Sequence, residues 1–354
     1  MMSGNDKPSS TASTAGAREM RLIATEEAYG DPVWLEALAK LPPNAGPEVV
    51  GLLKGMMKIP MIGSRMSDFE ARLREMDSFG VSMHLLSLST PGVQVFEPPQ
   101  AAELAIQLND NLAALIKAHP DRFAGLGCVA PQAPAAAAKE IRRAIGELGL
   151  NGILINSHTQ GEYLDLEKYD EILAALVEVD APLYLHPRIP PPNMLQPMLA
   201  YGLSGAAHGF AVEAALHAVR LIMSGAFDRY PTLTVVLGHM GEGLPYFLWR
   251  FDRIYELFFG TPVGTASGMV ALKKKPSEYF KSNFYITTSG MFWEPTLKFA
   301  IEVLGEDRIM FAIDTPYEPS DEAVEFIRSV PLDERVRAKI AHQNAERVFK
   351  IKPA

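Results

Sequence analysis

Short aliphatic and β-branched runs recur along the chain, and each is followed by a stretch in which apolar residues return every three or four positions. The runs predict eight strands, at residues 21–27, 81–88, 123–130, 152–158, 181–187, 233–240, 282–290 and 308–316. The stretches predict eight helices, at residues 69–80, 101–120, 133–149, 169–179, 211–225, 243–258, 294–305 and 320–330. Strands that are apolar throughout are typical of a parallel sheet covered by helices on its faces.

This alternation predicts an α/β fold, the (β/α)8 TIM barrel, in preference to an open doubly wound sheet. No GxGxxG motif follows the first strand, which argues against a dinucleotide-binding fold. Two connections are too long for simple loops: residues 31–68 after the first strand and 187–210 after the fifth. Because loops that follow barrel strands lie at the C-terminal face, we expect both segments to cap the active site.

Composition narrows the class of protein further. Residues 1–19, rich in Ser, Thr, Ala and Gly, predict a disordered tail and not a secretory signal, which leaves residues 20–354 as a single barrel domain. A net charge of -9 without a long basic run argues against nucleic acid as a partner, and the absence of a long apolar run argues against a membrane. The single cysteine, Cys128, excludes an internal disulfide framework, fits a cytoplasmic location and is interpreted as a core residue.

Ionisable side chains stand where the predicted strands end, and in a barrel those ends meet around the active-site mouth. They are Glu26 and Glu27 at the end of the first strand, His158 at the end of the fourth, His186 at the end of the fifth, His239 at the end of the sixth and Asp314 at the end of the eighth. Glu26, His186 and Asp314 could hold one divalent ion, with Mn²⁺ preferred and Zn²⁺ or Mg²⁺ as alternatives. Glu242, three residues beyond His239, could orient its imidazole for proton transfer.

Each of these side chains also has a structural interpretation. Glu26 could form a cap or a salt bridge, and Glu27 could exchange roles with it. His186 could be a hydrogen-bonded core histidine, and Asp314 could cap the following helix. His158 could be either a loop residue or a substrate contact.

Seven motifs carry a family resemblance: ATEEAY (24–29), INSHTQGEYLD (155–165), PLYLHP (182–187), GHMGEGLPYFLWRFD (238–252), SG with WEP (289–290, 293–295), FAIDTPYE (311–318) and HQNAERVF (342–349). Together they resemble the decarboxylase branch of the amidohydrolase superfamily. Within that branch, the chain is most similar to the enzymes that act on 5-carboxyvanillate and on dihydroxybenzoates of the gamma-resorcylate type. The resemblance runs from about residue 20 to residue 350, and residues 31–68 match least well.

The resemblance implies a metal ligand set of Glu26, His186 and Asp314. Most members of the superfamily have His-x-His at the first position, whereas this chain has Glu26-x-Ala28 and so lacks one nitrogen ligand. This departure argues against a two-metal hydrolase and against the aminocarboxymuconate semialdehyde enzymes. The resemblance also makes His239 the catalytic imidazole and Glu242 the residue that orients it.

The resemblance further implies substrate contacts by Arg250, which in relatives reaches the substrate carboxylate, sometimes across a subunit boundary, and by Tyr317. Arg65 is a candidate for the family's second arginine. An aromatic pocket lined by Trp34, Phe210, Phe292 and Tyr317 would suit a small aromatic acid. The apolar helix predicted at residues 243–258 indicates a homodimer or homotetramer.

The implied reaction is the non-oxidative removal of CO₂ from an aromatic acid that carries an ortho hydroxyl. In this hypothesis Asp314 protonates the ring carbon, and the C–C bond then breaks as aromaticity returns. One alternative is a hydrolase in which the same metal activates water against an ester or lactone. Another is a barrel without catalytic activity that senses aromatic acids.

Overall fold

The structure, a computed structural model, describes residues 20–42 and 46–353. The tail predicted at residues 1–19 lies outside the described residues. Within the described residues, no helix is both long and apolar enough to cross a membrane.

Eight parallel strands form one sheet in which each strand pairs with its neighbour in sequence. They are β1 (Ile23–Tyr29), β2 (Met83–Leu88), β3 (Phe123–Cys128), β4 (Gly152–Asn156), β5 (Leu183–His186), β6 (Val235–Leu237), β7 (Phe284–Thr287) and β8 (Ile309–Met310). The sheet closes through the segment after β8, where the Thr25 amide donates to the Phe311 carbonyl at 3.1 Å. The predicted barrel is therefore confirmed.

One helix packs outside the sheet after each strand. These are α1 (Phe69–Phe79), α2 (Pro98–Ala118), α3 (Pro134–Gly146), α4 (Asp170–Glu178), α5 (Gly209–Met223), α6 (Leu244–Phe258), α7 (Glu294–Leu304) and α8 (Ser320–Ser329). The local sequence explains the ends of α1: the Asp68 side chain caps its first turn, and Gly80 ends it in the left-handed region. All eight overlap the predicted helices.

The sixth and eighth strands are among the predicted strands that end earlier than the sequence pattern indicates. The sixth was predicted to reach residue 240 but stops at Leu237, and the eighth was predicted to reach 316 but stops at Met310. The backbone leaves the β region at His239, with φ of 48°, and at Asp314, with φ of 80°. Both side chains therefore lie on turns beyond the sheet.

Further helices lie outside the repeating unit. The segment after β1 contains helices Pro32–Ala39, Pro47–Lys54 and Pro60–Ser67, and the segment after β5 contains Pro192–Leu195. Helices Pro262–Ala266 and Pro276–Asn283 lie between α6 and β7, and Glu334–Ala338, Lys339–Gln343 and Asn344–Val348 follow α8. The sequence pattern predicted none of these short helices.

The two long segments are joined to each other by a nearly buried ion pair. Arg188, two residues after β5, pairs with Glu48 of helix Pro47–Lys54, and the exposed fractions of their side chains are 7% and 10%. The Ile189 amide also donates to Glu48 Oε1 at 2.7 Å. The first long segment is thus fastened to the loop that follows the fifth strand, at the C-terminal end of the barrel.

Candidate metal centre and active site

Glu26, His186 and Asp314 converge at the C-terminal end of the barrel. Glu26 lies in β1, His186 is the last residue of β5, and Asp314 lies four residues after β8. One potential ligand atom from each residue lies within 4.8 Å of the other two. The structure therefore brings together the three residues that the sequence nominated as metal ligands.

An unsatisfied carboxylate oxygen shows that this cluster fits a divalent cation. Glu26 Oε1 is buried and has no hydrogen-bond partner among the described residues. It lies 3.6 Å from His186 Nε2 and 3.7 Å from His239 Nε2. A buried carboxylate oxygen without a donor is costly, and a cation bound between it and the imidazole would remove that cost.

The orientation of His186 also fits metal binding. Its Nδ1 lies 3.1 Å from Asn156 Oδ1 at the end of β4. With the proton on Nδ1 donated to Asn156, the lone pair of Nε2 faces Glu26 Oε1. Burial lowers the pKa of His186 to about 4, so the imidazole is neutral, as a metal ligand must be.

Glu26 and Glu27 have different surroundings because successive residues of a strand face opposite sides of the sheet. The Glu27 carboxylate accepts hydrogen bonds of 3.0 Å from the backbone amides of Ile313 and Thr315. It therefore fastens β1 to the segment after β8. Glu26 faces the cluster, so Glu26 and not Glu27 is the candidate metal ligand.

His239 and Glu242 lie on a tight turn between β6 and α6. His239, Met240 and Glu242 have φ of 48°, 56° and 55°, a left-handed conformation that is costly for residues other than glycine and that clusters at functional sites. The turn places His239 Nδ1 2.7 Å from Glu242 Oε1. His239 Nε2 then lies 3.6 Å from Asp314 Oδ2.

The charges around this turn favour a protonated imidazole. Burial opposes it, but the negative charges of Glu242 and Glu26 raise the pKa of His239 well above its usual value. Burial raises the pKa of Asp314 to about 7, and the charge of Glu26 adds to this effect. Burial also tends to raise the pKa of Glu26, but the nearby His239 and His186 act against it, and the pKa of Glu26 is lowered overall. The arrangement can hold a proton at His239 or Asp314 near neutral pH.

A cavity of about 600 Å³ opens above these groups. Its wall includes the apolar side chains of Phe210, Phe247 and Met291 together with the ionisable groups of His239 and Asp314. The volume lies within the range of small-molecule sites, roughly 300–1,000 Å³. An apolar wall beside a few convergent ionisable groups suits an aromatic acid.

Among the predicted substrate contacts, Phe210 lies in the cavity wall and His158 does not. His158 is buried, and its Nε2 lies 3.0 Å from the Ile189 carbonyl while its Nδ1 accepts from the Gly161 amide at 3.1 Å. Both ring nitrogens are thus occupied by backbone groups. The placement corresponds to the loop interpretation of His158 and leaves it no free nitrogen for a substrate.

Three of the four candidates for the aromatic pocket contact other groups of the protein. Tyr317 is half-buried, and its hydroxyl lies 2.6 Å from Ser89 Oγ. The indole of Trp34 is fully buried and donates to the Gly92 carbonyl at 2.9 Å. Phe292 packs near α8, with its ring 6.1 Å from that of Phe326. Among the described residues that line the cavity, none of these three is found.

The two arginine candidates also lie away from the cavity. Arg250 is exposed on α6 and does not line the cavity of its own barrel. Arg65 is buried, pairs with Glu75 at 2.8 Å through Nε, and contacts the Pro316 carbonyl and Ser320 Oγ through its terminal nitrogens. The guanidinium of Arg65 thus joins the first long segment to the start of α8, and a substrate contact by Arg65 stays a prediction.

Several polar residues around the site were not found from the sequence. Tyr184, Thr287 and Ser289 donate to Glu26, and Glu318 lines the cavity. The spacing along the strand could have indicated Tyr184. It precedes His186 by two residues, and side chains two positions apart on a strand face the same side. Thr287 and Ser289 have the same spacing at the end of β7.

The chain belongs to the amidohydrolase family, whose model matches residues 65–351. The structure is similar to that of 5-carboxyvanillate decarboxylase from Sphingomonas paucimobilis, with 44% identity, a TM-score of 0.88, and coverage of 94% of this chain and 100% of the other. It is also similar to 5-carboxyvanillate decarboxylase from Novosphingobium aromaticivorans complexed with manganese and 4-hydroxy-3-methoxy-5-nitrobenzoic acid, with 41% identity, a TM-score of 0.88, and coverage of 94% and 96%. Gamma-resorcylate decarboxylase from Polaromonas sp. (strain JS666) is 39% identical over 301 residues, which cover 82% of this chain and 90% of the relative.

Proposed function

We propose that this chain is a metal-dependent, non-oxidative decarboxylase of an aromatic carboxylic acid with a hydroxyl ortho to the carboxylate. The observation that carries the proposal is the unsatisfied Glu26 Oε1, which faces His186 Nε2 at 3.6 Å beside the cavity. The decarboxylases to which the chain is similar support the reaction, and the apolar cavity wall supports an aromatic substrate. The substrate class is that of 5-carboxyvanillate and the dihydroxybenzoates.

The residues that would hold the metal are Glu26, His186 and Asp314. Two carboxylates and one imidazole favour Mn²⁺, with Zn²⁺ and Mg²⁺ as alternatives, and a manganese-bound relative supports the same preference. When bound, a divalent ion would attract the substrate carboxylate and the adjacent phenol oxygen, which orients the ring and balances its charge.

Asp314 is the proposed proton donor to the ring carbon that carries the leaving carboxylate. Removing CO₂ directly would leave an sp² carbanion, so protonating that carbon first provides a lower-energy route. Once the carbon is protonated, the electrons of the breaking C–C bond return to the ring and restore aromaticity. Asp314 suits this step because its side chain borders the cavity in which the aromatic ring would lie.

His239 is proposed to donate a hydrogen bond to the ortho oxygen through Nε2, while Glu242 fixes the ring of His239 through Nδ1. This hydrogen bond would favour the ionised form of the ortho oxygen, which donates electrons to the ring and so makes the carbon that accepts the proton basic. Phe210 would pack against the aromatic ring in the cavity wall, and Tyr317 would orient a distal substituent after exchanging its Ser89 contact.

We propose that the protein forms a homodimer or homotetramer through α6. Tyr246 and Trp249 on this helix are 77% and 72% exposed, an uncommon exposure for large aromatic side chains. Arg250 lies on the same helix, outside the cavity of its own barrel, so it could reach the substrate in a neighbouring subunit. A cytoplasmic location and a role in breaking down aromatic acids fit this small-molecule chemistry.

A substrate panel tests the proposal. Metal-free protein is loaded with Mn²⁺ and incubated with 5-carboxyvanillate, 2,6-dihydroxybenzoate and unsubstituted benzoate while CO₂ release is followed. We expect turnover only of acids with an ortho hydroxyl, and loss of that turnover when the metal is chelated. In D₂O, the product should carry one deuterium at the position that lost CO₂.

The same assay separates decarboxylation from the hydrolase alternative. A hydrolase acting on esters or lactones would place ¹⁸O from labelled water in its product, whereas decarboxylation would not. Ester cleavage with ¹⁸O incorporation, and no CO₂ from any hydroxybenzoate, would refute the proposed function. A binding protein without catalysis would give neither product.

A further inference from the structure

Three hydroxyl groups surround one oxygen of the Glu26 carboxylate. Tyr184 of β5, Thr287 at the end of β7 and Ser289 just beyond it all donate hydrogen bonds to Glu26 Oε2. All three side chains are fully buried, and the bond from Thr287 is 2.9 Å long. Glu26 Oε1, by contrast, has no donor among the described residues. The two oxygens of one carboxylate therefore have opposite surroundings.

We infer that Tyr184, Thr287 and Ser289 are positioning residues that hold Glu26 so that Oε1 alone binds the divalent cation. The inference rests on the metal centre of the proposed function. A carboxylate free to rotate could bind a cation through either oxygen or both. Three donors on Oε2 fix the plane of the carboxylate and occupy the lone pairs that a second metal bond would need.

Neutral donors suit this task better than a cationic side chain would. A buried carboxylate needs hydrogen bonds to offset its desolvation, and Glu26 is only 2% exposed. A lysine or arginine would provide them but would also neutralise the charge and repel the incoming metal ion. Hydroxyl groups compensate the burial and leave the negative charge available to the cation. Within the described part of the chain, the ion-pair contacts of Glu26 are to His186 and His239 only.

The packing on the other side of Glu26 also restrains rotation of its carboxylate. A Cβ atom added at Gly238 would lie 2.7 Å from both carboxylate oxygens, closer than real Cβ contacts allow. The residue after β6 thus has room only for glycine. Glu26 is held between this backbone and the three hydroxyl groups.

Ser289 connects the metal centre to the acid–base pair. Its Oγ donates to Glu26 and accepts from the His239 backbone amide at 3.0 Å. Because His239 Nε2 lies 3.7 Å from Glu26 Oε1, one hydroxyl sets the relative position of both groups. This link explains why a serine, with one donor and two acceptor sites, occupies the position.

Metal binding measured separately from turnover tests the inference. Tyr184→Phe and Thr287→Val each remove one hydroxyl and nearly conserve volume, and Thr287→Ser keeps the hydroxyl while removing a methyl. Thr288→Val is the matched control, because Thr288 Oγ1 exchanges 3.0 Å hydrogen bonds with the Ala312 backbone and does not contact Glu26. The Kd for Mn²⁺ is measured by titration calorimetry on metal-free protein, with thermal unfolding measured in parallel.

We expect Tyr184→Phe and Thr287→Val each to weaken Mn²⁺ binding about 10-fold, and the double variant to approach about 100-fold. Thr287→Ser and Thr288→Val should bind Mn²⁺ as the unaltered protein does, even where Thr288→Val lowers the unfolding temperature. A crystal structure of the Mn²⁺-loaded double variant should show Glu26 rotated or bound through both oxygens. If Tyr184→Phe does not fold, Thr287→Val and Ser289→Ala test the same point.

Three results would overturn the inference. Unchanged Kd values in the hydroxyl-deleted variants would show that the hydroxyl groups do not position Glu26, while leaving the metal centre itself intact. Equal weakening by Thr287→Ser or by Thr288→Val would assign the effect to packing. Failure of the unaltered protein to bind Mn²⁺ would remove the metal centre of the proposed function as well.

Discussion

Replacement of Asp314 by asparagine separates the stability of the site from its chemistry. Asparagine has nearly the same shape and tolerates the left-handed backbone that Asp314 adopts at φ of 80°. The backbone bond from the Tyr317 amide to the Asp314 carbonyl, 2.8 Å long, does not involve the side chain. The variant should therefore fold, and its altered properties should come from the lost carboxylate.

The size of the effect on stability follows from the surroundings of Asp314. Its side chain is only 13% exposed, and burial together with the charge of Glu26 raises its pKa from 3.8 to about 7. Such a difference makes ionisation in the folded, metal-free protein unfavourable by roughly 4 kcal/mol. Below pH 4 the carboxyl is protonated in both the folded and unfolded states, so it costs nothing. As the pH rises from 4 to 7 the unfolded state ionises first, and stability is lost.

Thermal unfolding in the presence of a chelator measures this contribution. Asp314→Asn removes the ionisable group, so the variant should unfold at the same temperature as the unaltered protein at pH 4. At pH 8 it should unfold a few degrees higher. Asp307→Asn, whose carboxylate is 55% exposed, is the control and should show little change with pH. A metal-free Asp314→Asn protein that is less stable at pH 8 would refute the electrostatic reasoning.

The same variant tests the chemical role of Asp314. An amide cannot deliver the proton to the ring, so turnover should fall by about 10²- to 10⁴-fold. The reaction is followed by CO₂ release from an ortho-hydroxylated benzoate with Mn²⁺ at saturating concentration, which compensates for weaker metal binding. Activity retained above a few per cent would contradict the assignment of Asp314 as proton donor.

Three further changes test other parts of the structure. Glu242→Gln should keep the turn intact but lower turnover about 100-fold, because a neutral amide no longer raises the pKa of His239; an unchanged pH–rate profile would count against this pairing. Glu48→Ala should lower the free energy of unfolding by roughly 3–5 kcal/mol, because the substitution leaves the buried Arg188 without its partner. Chemical denaturation that detects no loss of stability would contradict this prediction. Trp249→Asp should shift the sedimenting species to the mass of a single chain, whereas an unchanged mass would exclude α6 as the subunit interface.

The sequence by itself determined the barrel and most of the metal cluster. Strands that are apolar throughout and helices with regular apolar spacing are local features, so they can be read without knowing which elements meet. The positions of Glu26, His186 and Asp314 could be predicted for a related reason. Once the fold is known, residues at the carboxyl ends of parallel strands must meet at one face.

Only the tertiary structure decided which neighbours those residues acquire. The choice of Glu26 over Glu27 as candidate metal ligand depends on which face of β1 meets the cluster. The hydroxyl groups that bond to Glu26 Oε2, and leave Oε1 without a donor among the described residues, lie more than 150 residues away in the chain. The guanidinium of Arg65 contacts residues about 250 positions later in the chain. A local pattern carries no record of such contacts, because they form only when distant segments pack together.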